Sequence, residues 1–188
     1  MGKVLYGIRN VYVAKLTETN GTITYDTPFA VKGATGFSPE PQGDTTVFYA
    51  DDMIYFRKDK NNGYEGELTL AVTPDEFLTQ ILGRAVDNNG ALIETADDTF
   101  SRFALMFEAE GDPKNRRFVY WDCTASRPTR ENATTEDSIE VGTDSLTITI
   151  APRSTDNRIG AYIELTDDNT AVYNAWFTSV YEKNGASV

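Results

Sequence analysis

The sequence contains no histidine and a single cysteine, Cys123. Without histidine, a Ser-His-Asp triad, a Cys-His pair or an imidazole metal ligand is excluded. The glycine-rich phosphate-binding patterns GxGxxG and GxxxxGK[ST] are also missing. Paired carboxylates remain a formal route to acid–base chemistry, because the chain has 29 Asp and Glu residues. These absences predict a protein that is not an enzyme and has no catalytic residues, no cofactor and no metal site.

Long apolar runs are also missing. No stretch approaches the ~20 apolar residues that a membrane-spanning helix needs, and the apolar run at the start of the chain is too short for a signal peptide. One cysteine cannot form an internal disulfide, which agrees with a reducing compartment. We therefore expect a protein that is made in a cytoplasm and does not enter a membrane, with Cys123 as a small buried apolar residue.

Basic residues are few. Seventeen Lys and Arg against 29 Asp and Glu give a net charge of −12, which disfavours nucleic-acid recognition. Some acids form adjacent pairs, at Asp51-Asp52, Asp97-Asp98 and Asp167-Asp168. None of these pairs has the spacing of a calcium-binding loop. We interpret them as turn residues on a solvated acidic surface.

What the sequence does have is β-strand patterning. Residues 145–150 alternate strictly between apolar residues and Ser or Thr, as in a strand with one buried face. Other short segments rich in β-branched and aromatic residues predict further strands at 10–16, 66–72, 102–109, 116–123 and 160–165. Residues 111–115 predict a hairpin loop between two of them. Asn-Gly pairs at 20–21, 62–63 and 89–90 predict β-turns, and a fourth pair lies near the C-terminus at 184–185.

One helix is predicted over residues 73–83. Thr73-Pro74-Asp75-Glu76 matches a capping box with proline at the first helical position, and Gly83 is a C-terminal stop. The apolar residues between them fall on one helical face: Phe77, Leu78, Ile81 and Leu82. Residues 167–177 are compatible with either a second helix or a strand.

The segment from 37 to 63 differs from the rest. Two aromatic-rich strands flank Asp51-Asp52, between a proline-containing entry and a polar stretch at 57–63 that we expect to be flexible. A hairpin this apolar either folds back onto the core or covers another molecule. The residues alone favour neither alternative.

Eight segments stand out together by their order and spacing: 7–14 (GIRNVYVA), 49–52 (YADD), 67–70 (ELTL), 82–83 (LG), 86–87 (VD), 89–90 (NG), 96–99 (ADDT) and 117–121 (RFVYW). In that order and spacing they resemble the major tail proteins, or tail tube proteins, of long-tailed phages that infect Gram-positive bacteria. The resemblance implies a mainly β fold: a β-sandwich or barrel-like tail tube domain over residues 1–188, with one flanking α-helix and a long projecting hairpin. It further implies stacked hexameric rings that form the conduit for DNA delivery to the host.

The same resemblance implies partners and an interface. The partners are other copies of the chain, the tape measure, terminator and baseplate or initiator proteins, and genomic DNA that passes through the lumen without specific binding. The location implied is the virion tail, after a stage in the host cytoplasm. Residues 37–63 become the stacking arm, and residues 1–5 and 181–188 become further inter-ring contacts. The predicted interface residues are Val47, Phe48, Tyr49, Asp51, Asp52, Ile54, Tyr55 and Phe56.

A second hypothesis is a soluble carbohydrate-binding or adhesion module. It rests on two aromatic clusters, at 118–121 and 173–177, which could form a sugar-stacking surface. The alternative use of these clusters is packing in the core.

Overall fold

An antiparallel sheet dominates the fold. The structure, a computed structural model, describes residues 7–130 and 142–183. Its strands in these ranges are β1 (Ile8–Thr19), β2 (Thr22–Tyr25), β3 (Phe29–Ala30), β4 (Ala34–Ala50), β5 (Met53–Leu70), β6 (Ala85–Val86), β7 (Leu92–Ile93), β8 (Phe103–Ala109), β9 (Arg117–Ala125), β10 (Thr129–Arg130), β11 (Asp144–Ile150) and β12 (Gly160–Ile163). The helices are α1 (Asp75–Gln80) and α2 (Thr170–Ala175). The predicted mainly β fold is confirmed.

The main sheet is curled. Its strand order is β2-β1-β8-β9-β11-β5-β4, with β3 on β1, β10 on β11 and β12 on β9, while β6 and β7 form a separate ribbon. Between β3 and β4 the chain crosses from one side of this order to the other. Val31 N–H donates to the Val11 carbonyl of β1 at 2.8 Å, and the Gly33 carbonyl accepts from Ala71, just after β5, at 2.7 Å. The sheet therefore wraps around a core without closing into a barrel.

Its inner face and α1 form the main core. In β11, Leu146, Ile148 and Ile150 are fully buried and alternate with exposed Thr147 and Thr149. This confirms the face predicted from the alternation. The four apolar helix residues predicted to share a face are also buried: Phe77, Leu78, Ile81 and Leu82. Phe77 packs edge-on against Phe103 at the start of β8, with 5.7 Å between ring centroids, so α1 closes this end of the curled sheet.

The outer face of the sheet carries a second, smaller core. Met106, Val119, Trp121 and Trp176 are buried there, beneath α2 and the segment that follows it. The Trp121 indole N–H donates to the Tyr181 carbonyl at 2.8 Å. Both faces of the central strands are therefore covered, and the C-terminal segment is part of the cover.

A buried arginine fastens that segment. Arg153 is 5% exposed, and its guanidinium donates to Asp156 and Glu182 at 2.5 Å and to the Tyr25 hydroxyl at 3.3 Å. A buried charge needs such partners to offset its lost hydration. Burial also raises the pKa of Tyr25 to about 12. Residues 181–183 lie against the body, and the remainder of the predicted C-terminal tail lies outside the described residues.

The helix α1 begins differently from the prediction. It spans Asp75–Gln80, with Pro74 at its N-cap and no side-chain cap, so the predicted capping box is wrong. The Thr73 hydroxyl and N–H instead both donate to the buried Asp144 carboxylate, at 2.8 Å each. Leaving a buried carboxylate without hydrogen-bond donors costs more free energy than leaving an exposed helix end uncapped. Thr73 therefore donates to Asp144 and does not cap α1. Gly83 has φ +74°, as expected for a C-terminal stop.

The turns are partly as predicted. Asn20-Gly21 forms the turn between β1 and β2, with both residues at positive φ, and Asn89-Gly90 lies in the turn between β6 and β7. Residues 111–115 form the loop between β8 and β9. Asn62-Gly63 lies inside β5, so its assignment to a turn is wrong, and Asn184-Gly185 lies outside the described residues. The segment left open between helix and strand contains the helix α2.

Replacing Ile148 by Ala should lower the free energy of unfolding by about 2–5 kcal/mol, because a fully buried side chain leaves a cavity. The matched control is Thr149→Ala on the exposed face of the same strand, with an expected loss below about 1 kcal/mol. Urea denaturation monitored by tryptophan fluorescence measures both. Equal losses in the two variants would contradict the assignment of β11 faces.

The pH dependence of stability should include a contribution from Asp144. Hydrogen bonds from Arg130, and then from Thr73, lower the pKa of Asp144 to about 2. Since the folded pKa lies below the unfolded value of about 3.9, the stabilisation is present above pH ~4 and is lost as the pH falls toward 2. Asp144→Asn should be less stable than wild type at pH 6, with a difference that shrinks by pH 2.5. Urea midpoints across this range test it, and a pH-independent difference would contradict it.

Candidate assembly surface

A two-stranded ribbon extends beyond the main sheet. Strand β5 pairs with β11 from Leu70 to Tyr64 and no further, whereas its pairing with β4 continues to the Met53–Ala50 pair. We call residues 42–63, which form this ribbon, the hairpin arm. Pro39 and Pro41 lie in β4 just before the arm, and the polar stretch 57–63 lies on the β5 side of the arm. The stretch 57–63 is therefore paired strand, and its flexibility stays a prediction.

The end of the arm, residues 47–56, is apolar on both sides, and we call it the arm tip. Residues paired across two strands point to the same face. Phe48 pairs with Phe56 and Ala50 with Met53, which defines one face. Tyr49 pairs with Ile54 and Val47 with Arg57 on the other, and Tyr55 is the extra residue of a β-bulge between them.

The arm tip does not fold back onto the core. Phe48, Tyr49, Met53, Ile54, Tyr55 and Phe56 are between 51% and 78% exposed. A two-stranded ribbon has no third layer to bury either face, and soluble monomers rarely expose large contiguous apolar patches. Of the two alternatives that the sequence left open, the structure favours a hairpin that covers another molecule.

The turn at the tip is formed by Asp51 and Asp52, with φ of 52° and 59°. Positive φ at both central residues is typical of a type I′ turn, whose twist matches that of antiparallel strands. Asp tolerates this conformation because its short side chain hydrogen-bonds locally. The predicted Asp-Asp turn is confirmed. Among the described residues neither carboxylate is in an ion pair.

Polar side-chain contacts across and along the strands stabilise the stem of the arm. The Thr45 hydroxyl donates to Asp59 at 2.7 Å, and Arg57 donates to the same carboxylate at 3.3 Å. These two contacts lower the pKa of Asp59. Nearer the body, the Asn62 amide donates to Asp44 at 2.8 Å. The stem thus exposes polar side chains to solvent, and the exposed apolar side chains of the arm lie at the tip.

Gly63 marks the root of the arm. Its φ is +100°, and a Cβ there would lie 1.9 Å from the Ile150 carbonyl oxygen, so only glycine fits. The register with β4 shifts at this point, with Asn62 as the extra residue of a bulge. In the sequence, Asn62-Gly63 predicts a turn because both residues tolerate positive φ. In the structure, the positive φ of Gly63 allows the ribbon to leave the sheet.

The outer edge of β4 is unpaired among the described residues, since β5 is its only partner strand. Pro39 and Pro41 have no N–H to donate, which makes the part of this edge on the body a poor template for another strand. From Gln42 to Ala50 the edge contains no proline. Unpaired backbone groups and exposed apolar side chains therefore coincide on the arm.

The structure brings the predicted interface residues together. Val47, Phe48, Tyr49, Asp51, Asp52, Ile54, Tyr55 and Phe56 all lie on the arm tip. The sequence prediction omitted Met53, which is 69% exposed beside the turn. Its position next to the two aspartates was the signal that could have included it. Whether these residues contact another subunit stays a prediction, and residues 1–5 lie outside the described ranges.

The other candidate sites have structural explanations. Trp121, Tyr173 and Trp176 are buried, so the clusters that suggested a sugar platform contribute their largest rings to the core. Cys123 is buried, and burial raises the pKa of its thiol. Over residues 7–130 and 142–183, no group of three or more acidic, Cys or His side chains is placed to share a metal ion. In the same ranges neither helix has the length and apolarity to cross a bilayer.

The sequence matches the phage tail tube protein family over residues 2–181, which is nearly the whole chain. The chain belongs to the phage tail tube protein family. No curated protein matches it significantly. Among solved structures, it is similar to a chain of the anti-feeding prophage (AFP) baseplate, determined by cryo-EM with 6-fold symmetrisation. The identity is 9% and the TM-score 0.40, with 87% of this chain and 98% of that chain covered.

Membership of the tail tube family confirms the resemblance seen in the sequence. The protein is a structural component of the virion tail and not an enzyme, and it assembles with other tail components. The arm tip of this tail tube protein is an apolar surface with no partner in the described chain.

Proposed function

We propose that this tail tube protein forms one domain over residues 1–188, that six copies close into a ring, and that rings stack into a tube. The hairpin arm provides a contact between subunits. The observation that supports this is the arm tip, where six large apolar side chains are more than half exposed at the end of a polar stem. Membership of the tail tube family supports the polymer over a carbohydrate-binding module.

The size of the tip contact favours cooperative assembly. Burying six partly exposed apolar side chains contributes on the order of 5–10 kcal/mol, at ~1.5–3 kcal/mol for each fully buried one. Lost translational and rotational freedom costs a comparable ~4–15 kcal/mol for each association. One arm contact is therefore marginal by itself. In a ring that stacks on another ring, each subunit makes several contacts. The favourable free energies of these contacts add up, because the lost translational and rotational freedom is counted once.

The charge of the chain suits a DNA conduit. Six copies of a −12 chain carry about −72 per ring, and negative groups at the lumen repel DNA phosphates within a Debye length of ~8 Å. DNA then slides through without specific binding. The partners at the ends and in the lumen of the tube are the terminator, the baseplate or initiator proteins and the tape measure protein. Before assembly the subunit resides in the host cytoplasm.

Removal of the arm should abolish polymerisation and leave the fold intact. Gly43 and Asn61 are paired, so residues 44–60 can be replaced by the turn Asn-Gly without moving either strand. The removed residues are mostly exposed and contact each other, so the free energy of unfolding should change by less than about 1 kcal/mol. Negative-stain microscopy and sedimentation of wild type and variant, under conditions where wild type forms tubes, measure assembly.

The control is Val72→Ser, which removes an exposed apolar side chain at the other end of β5 and should leave assembly unchanged. If the armless variant still forms tubes, the arm is not the assembly contact. If it unfolds, the hairpin belongs to the core.

A further inference from the structure

Within residues 7–130 and 142–183, the curled sheet is closed by α1 at one end and uncovered at the other. At the closed end, Phe77 of α1 packs on Phe103, where β8 begins. Toward the end of β8 the inner face continues with Phe107 and Ala109, and among the described residues no helix lies over them. Gly7 and Ile8, at the start of β1, border the same opening.

Aromatic rings line this opening, which we call the aromatic mouth. Its rings come from five strands: Phe37, Tyr64, Phe107, Phe118, Tyr120 and Tyr162. Phe107 stacks on Phe118 with centroids 5.0 Å apart, and Phe118 lies 5.8 Å from Tyr162. A cavity of about 410 Å³ lies between Phe37, Phe107, Phe118 and Tyr120, and a second of about 380 Å³ adjoins it beside Tyr64 and Tyr162. Together they have room for several side chains.

The register of the strands explains why the rings gather. Phe107 is paired with Phe118 and Phe118 with Tyr162, so the three rings point to the inner face side by side. Gly160 is paired with Tyr120, and a Cβ at Gly160 would lie 2.6 Å from that ring. Glycine thus lets the Tyr120 ring lie flat over β12. Burial raises the pKa of Tyr120 to about 12, as expected for a poorly hydrated pocket.

We infer that the aromatic mouth receives the arm tip of a second copy of this chain. This inference rests on the proposed function, because it names the surface against which the arm docks. The tip has apolar side chains on both faces, and the mouth is an apolar concavity of matching chemistry. Aromatic and aliphatic side chains buried in such a pocket are typical of the energetic centre of an interface.

The arm cannot fill its own mouth. Tyr64 lines the mouth and directly follows Gly63, the root of the arm. From Gly63 to Met53 the strand extends for roughly 33 Å, at ~3.3 Å per residue. A paired ribbon of this kind holds the tip away from the surface at its root. Each copy therefore offers one tip and one mouth, and two different surfaces in contact can repeat from subunit to subunit.

Charge at the rim favours the same occupant. The turn at the tip carries Asp51 and Asp52. The Arg116 guanidinium lies 5.8 Å from the centre of the Tyr162 ring and is ion-paired with the buried Asp112 at 2.6 Å. The Lys114 ammonium forms an ion pair with Glu164, two residues beyond Tyr162, at 2.9 Å. The Lys114–Glu164 pair is exposed to solvent, and exposed pairs are weak and readily exchanged, so Lys114 is the cation that can exchange its partner for an acidic turn.

Disulfide trapping tests the contact directly. One preparation carries Met53→Cys at the tip, and a second carries Tyr162→Cys at the rim of the mouth. They are mixed, assembled and treated with a mild oxidant that converts two thiols into a disulfide. The native thiol of Cys123 does not compete, because it is fully buried with a raised pKa. We expect covalent dimers from this mixture. The control is Met53→Cys with Leu165→Cys, an exposed position just beyond β12 that does not line the mouth.

A second measurement uses assembly itself. Tyr162→Asp places a charge where the tip would dock, and Leu165→Asp places the same charge beside it. Because an unpaired charge at a buried contact costs more than the ~1.4 kcal/mol that corresponds to tenfold in affinity, Tyr162→Asp should raise the protein concentration needed for tubes by roughly tenfold or more. Leu165→Asp should leave that concentration within about twofold, on the same scale of affinity.

The outcomes separate this inference from the proposed function. If the armless variant fails to assemble while Tyr162→Asp assembles normally and both cysteine mixtures cross-link equally, the arm docks elsewhere and the inference is overturned. If neither the armless variant nor Tyr162→Asp affects assembly, the proposed function fails too. A disulfide formed within monomers that carry both Val4→Cys and Tyr162→Cys would assign the mouth to residues 1–6 of the same chain, and would also overturn the inference.

Discussion

The pairing of β5 with β11 is the constraint on which the rest of the structure depends. From Tyr64 to Leu70, β5 lies between β4 and β11, with Leu68 and Leu70 fully buried against the core that also holds Leu146 and Ile148. Beyond Tyr64, β4 is the only one of the described strands beside it. One continuous strand therefore anchors in the core at one end and presents apolar side chains to solvent at the other. The packed half fixes the direction of the exposed half, because paired strands do not pivot independently.

Buried polar groups and the apolar core contribute to the fold in different ways. Asp144 joins the start of β11 to the entry of α1 and to β10, through Thr73 and Arg130. Arg153 joins the C-terminal segment to β2 through Glu182 and the Tyr25 hydroxyl. In both places a charge with few water contacts is surrounded by partners from distant parts of the chain. Such contacts specify which segments meet, whereas the apolar residues supply most of the free energy of folding.

The proposed docking of the arm in the aromatic mouth would explain how a tail tube protein remains a monomer until assembly begins. Each surface is apolar, yet the tip stands on a polar stem and the mouth is recessed within the sheet. A single docking event gains little more than it costs in lost freedom. Under this proposal, polymerisation depends on many subunits engaging together.

The sequence by itself determined the local features. Alternation in β11 assigned its buried face, the spacing of Phe77, Leu78, Ile81 and Leu82 assigned the buried face of α1, and Asp51-Asp52 marked the turn of the arm. These features follow from the period of one element or from the φ of one residue, so neighbours in sequence suffice to predict them. Only the tertiary structure decided the role of Thr73, the bulge at Asn62-Gly63, the outward course of the arm and the gathering of six rings at the mouth. Each of these depends on a partner far away in sequence, such as Asp144 for Thr73 or Ile150 for Gly63. Local sequence patterns do not indicate which distant strand lies beside a given strand.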